Sequence, residues 1–154
     1  MVEGRGNRPP PTLRRKSDFR RIVRTGRRVR HDFLQIAFLP SAAGEKSDGD
    51  RETGRAGYVI PERIIKGAVR RNRLRRLLRE AARHWWSSIR PGHDIVLQVG
   101  RSPRFDHAGY AEKIFLELLI KADLLNGEGR SKAEARIRTL SGIFRGSKLP
   151  VDDR

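Results

Sequence analysis

Between Leu13 and Leu125 the hydrophobic positions recur with two periods, one helical and one of strand type, and their alternation divides the chain into elements. Phe19, Ile22 and Val23 fall at i, i+3 and i+4, which predicts a short helix that Ser17 can cap and Gly26 stops. Residues 27–30 are basic and suit a short edge strand. Residues 33–39 alternate, with Leu34, Ile36 and Phe38 on one face and Phe33, Gln35 and Ala37 on the other, until Pro40 ends the strand. Residues 57–60 form a second strand closed by Pro61. A main helix follows over residues 66–86, with Leu74, Leu77, Leu78, Ala81 and Trp85 as its apolar stripe. After the Pro91-Gly92 turn, residues 94–100 read as a third strong strand, with Ile95, Leu97 and Val99 set against Val96 and Gln98, and Ser102-Pro103 breaks it. Asp106 can cap a last helix with Ala111, Ile114, Phe115, Leu118, Ala122 and Leu125 on one stripe, ended by Gly127.

Polar stretches frame these elements. Residues 1–12 are Gly-rich, finish in Pro9-Pro10-Pro11 and read as a disordered basic leader. Residues 13–126 form the α/β domain. Within it, residues 41–56 have almost nothing to bury and read as a long solvated hairpin loop. That loop sets Glu45, Asp48, Asp50 and Glu52 against Lys46, Arg51 and Arg55, the one locally acidic piece of the chain. Residues 127–154 are polar, Gly-rich and mixed in charge, which predicts a flexible tail with a transient helix over 137–144. No internal repeat is present. The order helix, strands, long helix, strand, helix predicts an α/β (α+β) fold of two layers, helices packed on one sheet.

The charge balance changes the picture. Among 154 residues, 35 Lys and Arg stand against 18 Asp and Glu, a formal net charge of +17. Self-repulsion of that size is expected where a polyanion supplies the countercharge, and nucleic acid is the first candidate. Arginine dominates, and its planar fork of donors fits phosphate and stacks on bases. The absence of cysteine excludes disulfides, thiolate catalysis and cysteine zinc sites. Charges interrupt every apolar cluster, so no transmembrane helix is expected. The first fifteen residues lack an apolar signal-peptide core, and a cytoplasmic protein is the default expectation.

The densest chemistry lies in residues 63–83, where nine basic residues meet the single acid Glu80. One helical turn rises about 5.4 Å, so arginines a turn apart can meet successive phosphates, each contact releasing counterions. Asn72, Arg75, Arg76, Arg79 and Arg83 project opposite the apolar stripe. Asn72 both donates and accepts, which suits a base edge or a 2′-hydroxyl better than a phosphate. A plain solvated cationic face is the bland alternative. A membrane-surface or calmodulin-type helix ending in Trp85 and Trp86 is another, weakened because the domain needs the same apolar stripe for its core. A helix in a DNA major groove is weaker still, since Leu74, Leu77 and Leu78 tie it down along its length. His31, His84, His93 and His107 are scattered without ligand spacing, and Asp94, Asp106 and Glu112 fit cap or strand-end roles. No Ser/His/Asp order, P-loop or GxGxxG is present, so neither a catalytic residue nor a metal site is assigned to the chain.

The run Arg71-Asn72-Arg73-Leu74-Arg75-Arg76-Leu77-Leu78-Arg79-Glu80, followed by Arg83, resembles the arginine-rich segment of the bacterial ribonuclease P protein subunit. Asp18-Phe19 with Gly26, Gly57-Tyr58-Val59-Ile60, and Pro91-Gly92-His93-Asp94-Ile95-Val96 are similar to that family's first helix and flanking strands, so the resemblance spans residues 13–125. It departs at Glu62, where two basic residues are usual, and at Val23 and Ala37, where aromatic residues are usual, with Phe33 expected to compensate one pleat away.

The resemblance implies a ribosomal protein S5 domain 2-like fold, a roughly four-stranded mixed sheet with a left-handed crossover through the arginine-rich helix; pattern alone favours the right-handed one. It implies a protein subunit of an endoribonuclease that removes the 5′ leader of precursor tRNA, with catalysis by an RNA subunit and Mg2+ held mainly by that RNA and the substrate. Its partners would be the catalytic RNA and precursor tRNA, with no membrane and no obligate protein partner. The implied RNA-binding residues are Arg70, Arg71, Asn72, Arg73, Arg75, Arg76 and Arg79, and the implied leader-binding residues are Phe19 and Phe33. The acidic loop is expected to lie away from the RNA. The alternative is a non-enzymatic ribosomal or ribosome-assembly RNA-binding protein using the same helix.

Overall fold

A computed structural model describes residues 9–41 and 54–145. In chain order the elements are α1 (Lys16–Thr25), β1 (Arg27–His31), β2 (Leu34–Pro40), β3 (Ala56–Val59), α2 (Ala68–Trp85), β4 (His93–Val99), α3 (Ala108–Lys121) and α4 (Gly127–Arg145). The strands form one mixed sheet in the order β1-β2-β4-β3, antiparallel except for the parallel pair β3 and β4, which α2 connects. Helices packed on a four-stranded mixed sheet is the arrangement expected from the sequence. Among the described residues no helix is long and apolar enough to cross a membrane.

β4 is an interior strand covered on both faces, and Ile95, Val96, Leu97 and Val99 are accordingly all buried. Period-two alternation sorts the two cores. Leu34, Ile36 and Phe38 of β2 and Ile95, Leu97 and Val99 of β4 join Leu74, Leu78, Ala81 and Trp85 of α2 and Ala111, Ile114, Phe115 and Leu118 of α3 in the main core. The opposite side chains, Ala37 and Val96, meet Leu13 and Ile22 in a small second cluster under α1.

Several expectations are corrected. β2 and β3 do not pair as a hairpin, because β4 lies between them. Residues 42–53, which include the acids of the expected loop, lie outside the described residues, as do residues 1–8 of the leader. At the leader's end, Thr12 bridges to Ala56, with Leu13 N–H donating to Ala56 O and Ala56 N–H to Pro11 O. Ser17 lies inside α1, whose cap residue is Arg15. The N-terminus of α3 is capped by His107, whose Nδ1 accepts from Gly109 N–H at 3.0 Å, and not by Asp106.

Residues 127–145 form a helix, not a flexible tail. Asn126 Oδ1 accepts from Gly129 N–H at 2.6 Å, so the residue before Gly127 caps a new helix where a stop was expected. Ala133, Ile137, Leu140 and Phe144, spaced four, three and four apart, give α4 an apolar stripe. Ala133 and Leu140 are buried, and Phe144 packs its ring 5.5 Å from Phe105 and 5.4 Å from Tyr110.

Phe33 is also displaced from its expected face. His31 pairs with Leu34, so Asp32 and Phe33 form a two-residue turn, with Asp32 at φ 54°. Strand alternation therefore does not govern Phe33. Its ring stacks on Tyr110 at 6.1 Å and is buried in the main core.

Candidate nucleic-acid interface

The α2 apolar stripe fixes the direction of its charges. Leu74, Leu78, Ala81, Ala82 and Trp85 are buried, which leaves Arg70, Asn72, Arg73, Arg76 and Arg79 exposed and Arg71 and Arg75 half-buried. Trp85 is further held by its Nε1–H, which donates to Glu112 Oε1 at 3.1 Å. Gly67, at φ 93°, admits the chain into the helix in a conformation that glycine tolerates best. The first turn carries no acidic residue, so the partial positive charge of the helix start adds to that of Arg70 and Arg71.

The arginines are not equivalent. Arg71 donates through Nη1 to the Ile65 carbonyl at 3.0 Å and so ties α2 to the loop before it. Arg70 donates to Ser102 Oγ at 2.9 Å, and Arg75 to Asn72 Oδ1 at 3.3 Å, which leaves the Asn72 amide N–H groups free to face a ligand. Arg73 lies 3.4 Å from Asp106, both largely exposed, a pairing that a polyanion can displace at little cost. The Arg79 guanidinium sits 5.7 Å over the Tyr58 ring. Burial pushes the Tyr58 phenol up to about 12, with the Arg79 charge opposing. Arg76 makes no ion pair among the described residues.

A second surface lies on the opposite face of the sheet. Phe19 and Val23, half-buried on α1, line an open hollow of about 340 Å³ with exposed Lys16 and Arg20. The Phe19 ring rests against β3 at Gly57, where any Cβ would lie 2.4 Å from the ring. Beyond the footprint of α1 the face opens into a cavity of about 610 Å³ that includes Arg30, Gln35, Arg63, Gln98 and Arg101. Gln35 and Gln98 are register partners, and Arg30 donates to Gln35 Oε1 at 3.3 Å. The structure thus brings the α2 arginines together on one helix and sets Phe19 on a separate face, while Phe33 lines the wider cavity on that face but is almost fully buried in the main core. The glutamines were legible only as the polar members of otherwise apolar alternations.

The profile of the family described as Ribonuclease P matches residues 9–121, nearly three quarters of the chain. The chain belongs to the ribonuclease P protein family. It is 30% identical over 109 residues to the ribonuclease P protein component of Caldanaerobacter subterraneus subsp. tengcongensis, covering 71% of this chain and 85% of the relative. It is 35% identical over 100 residues to that of Chloroflexus aggregans, covering 65% and 67%. Its fold is similar to the ribonuclease P protein of Staphylococcus aureus, with a TM-score of 0.61 at 20% identity over 75% of this chain and 97% of the other. The ribonuclease P match ends at residue 121, so α4 lies beyond it.

Proposed function

We propose that α2 is the docking surface for the catalytic RNA of ribonuclease P and that the α1 face of the sheet holds the 5′ leader of precursor tRNA. As a member of that family the chain works as the protein component of an endoribonuclease in tRNA maturation. The observation that carries the residue assignment is the helix itself: an apolar stripe buried from Leu74 to Trp85, with Arg70, Asn72, Arg73, Arg76 and Arg79 exposed on the same helix. Guanidinium groups on a rigid rail neutralise phosphates without ordering a flexible segment, and each contact releases counterions. We assign phosphate contacts to Arg70, Arg71, Arg73, Arg75, Arg76 and Arg79, and a directed hydrogen bond to Asn72. Arg71 and Arg75 also hold local structure, so their contribution to the RNA is joint with that role.

Phe19 offers leader nucleotides an apolar edge beside Lys16 and Arg20, which supply phosphate contacts. Stacking on aromatic rings is tolerant of base identity, as a leader-binding site requires. Phe33 is left out of this assignment, because a ring buried against Tyr110 presents no face to a base. Family catalysis depends on metal ions. Among the described residues no three His, Asp or Glu side chains gather to hold one, and we assign Mg2+ to the RNA subunit and substrate. No step of the reaction is routed through a side chain of this protein; its part is to bind and orient. A cytoplasmic location follows from the same role.

Reconstitution tests the reading. The protein is mixed with transcribed ribonuclease P RNA and a precursor tRNA, and cleavage is followed at low Mg2+. Stimulated cleavage at the mature 5′ end is expected. Binding of the RNA without stimulation of cleavage would favour the non-enzymatic ribosomal alternative.

A further inference from the structure

Four charged residues belong to neither the α2 rail nor the hollow beside Phe19: Asp18, Arg21, Arg55 and Asp94. They meet beneath α1. Asp94 is fully buried and Asp18 is 6% exposed. Arg55, directly before β3, donates through Nη2 to Asp94 Oδ2 at 2.9 Å and through Nη1 to Asp18 Oδ2 at 3.3 Å. Its main-chain N–H also donates to Asp94 Oδ1 at 3.0 Å, as does Ser41 Oγ at 3.1 Å. Arg21 of α1 lies beside the group, its Nη2 3.7 Å from Asp18 and 3.8 Å from Asp94, beyond hydrogen-bond reach. One guanidinium, that of Arg55, thus bridges a carboxylate on the helix to a carboxylate on the central strand.

Among the described residues, two cations and two anions meet there. A buried ion pair adds little to net stability, but separating its partners leaves an uncompensated buried charge and is strongly destabilising. The apolar contact under α1 is small, with Ile22 the one apolar side chain of the helix that is fully buried there. Small aliphatic contacts tolerate a helix rotated by part of a turn; a bidentate bridge does not. Successive residues on a helix lie 100° apart, so the rotation that buries Asp18 also sets Phe19 and Val23 at the rim of the hollow.

We propose that Arg55 and Asp94 are positioning residues for leader binding: they lock the rotation of α1 so that Phe19 stays on the leader path, without touching RNA themselves. The proposal rests on the leader-site reading above.

The test uses the reconstituted holoenzyme and four proteins: wild type, Phe19→Ala, Asp94→Asn and the double variant. Affinities are measured for precursor tRNA, for leaderless tRNA and for the catalytic RNA. Asp94→Asn keeps the side-chain volume but breaks the charge bridge. It is expected to weaken precursor binding about fivefold or more, within the range of one lost base stack, while the other two affinities hold. In the Phe19→Ala background the same substitution should add almost nothing, because the ring it positions is gone. A purely structural Asp94 would lower the melting temperature and leave the leader-dependent increment intact, which overturns the proposal. So do additive effects of the two substitutions. No leader effect from Phe19→Ala itself would instead sink the leader-site reading. If Asp94→Asn does not fold, Arg55→Lys replaces it in the same cycle, since an ammonium keeps the charge but cannot fork between two carboxylates. Its expected and overturning outcomes are the same.

Discussion

At the scale of the single residue, Phe19 and Tyr58 show how neighbours decide what a side chain is available for. Phe19 is half-buried because β3 offers no side chain at Gly57 for its ring to strike. If a nucleotide stacks on the exposed part, Phe19→Ala removes about 1–3 kcal/mol of leader binding. Affinity for precursor tRNA should fall roughly 5- to 150-fold, with binding of mature tRNA and catalytic RNA unchanged in parallel titrations. Equal losses on both substrates would return Phe19 to a packing role. The tyrosines give an independent prediction. Burial holds the Tyr58 phenol up at about 12, and burial followed by the hydrogen bond to Asp32 raises that of Tyr110 further. In the unfolded chain both ionise near 10. With the folded pKa raised, the stabilisation is complete below about pH 10 and declines as pH rises through the folded value. Urea midpoints measured at pH 9 and pH 11 should fall over that interval, and less steeply in Tyr110→Phe.

At the scale of the element, α2 combines two jobs on opposite sides of one cylinder. Leu78 is fully buried on its apolar side. Leu78→Asp places an unpaired carboxylate there, at a cost of several kcal/mol against a total stability of roughly 5–15 kcal/mol. Loss of the cooperative thermal transition is expected, and a melt like that of wild type would mean that the stripe faces elsewhere. On the other side, Arg73→Ala with Arg76→Ala, both exposed, should leave the melt near wild type and weaken binding to the catalytic RNA. Two lost phosphate contacts reduce the magnitude of the log–log salt slope by roughly 1.4–1.8. An unchanged slope would place these arginines off the RNA.

At the scale of the whole molecule, the sheet separates two working surfaces. The main core fills the side of α2, α3 and α4, and the smaller cluster with its buried ion bridge fills the side of α1. α4 thickens the first side at a point remote from α1, through Leu140 and Phe144. Leu140→Ala should therefore cost about 2–5 kcal/mol, a fall in melting temperature on the order of ten degrees. Leader binding at 25 °C should persist, because Leu140 packs beside Gly109 of α3, on the side of the sheet away from the hollow at Phe19. Differential scanning calorimetry with a matched binding titration checks both halves.

The periods of hydrophobicity located α1, α2, the start of α3 and three of the four strands to within a few residues, because each buries a stripe or a face and that requirement is written locally; β1 was legible only as a basic run, and α3 ends at Lys121, short of Gly127. The arginine run was legible for the same reason: Leu74 and Leu78 fix the inward direction, and the charges then have only one way to point. The resemblance carried by that run supplied the function that patterning could not. What the sequence left open depended on contacts between distant segments. Strand order is decided by which strand can be buried on both faces, and β4 takes that place between β2 and β3. Phe33 changed sides because the tight turn at Asp32 interrupts the alternation that would otherwise assign it. The stripe of α4 was present but short of apolar residues, and it gained a partner only once α3 and Phe105 were in place. Arg55 and Asp94 lie 39 positions apart, and neither is marked by its own neighbours. Only the folded sheet brings that arginine within reach of two carboxylates and gives the pair something to hold.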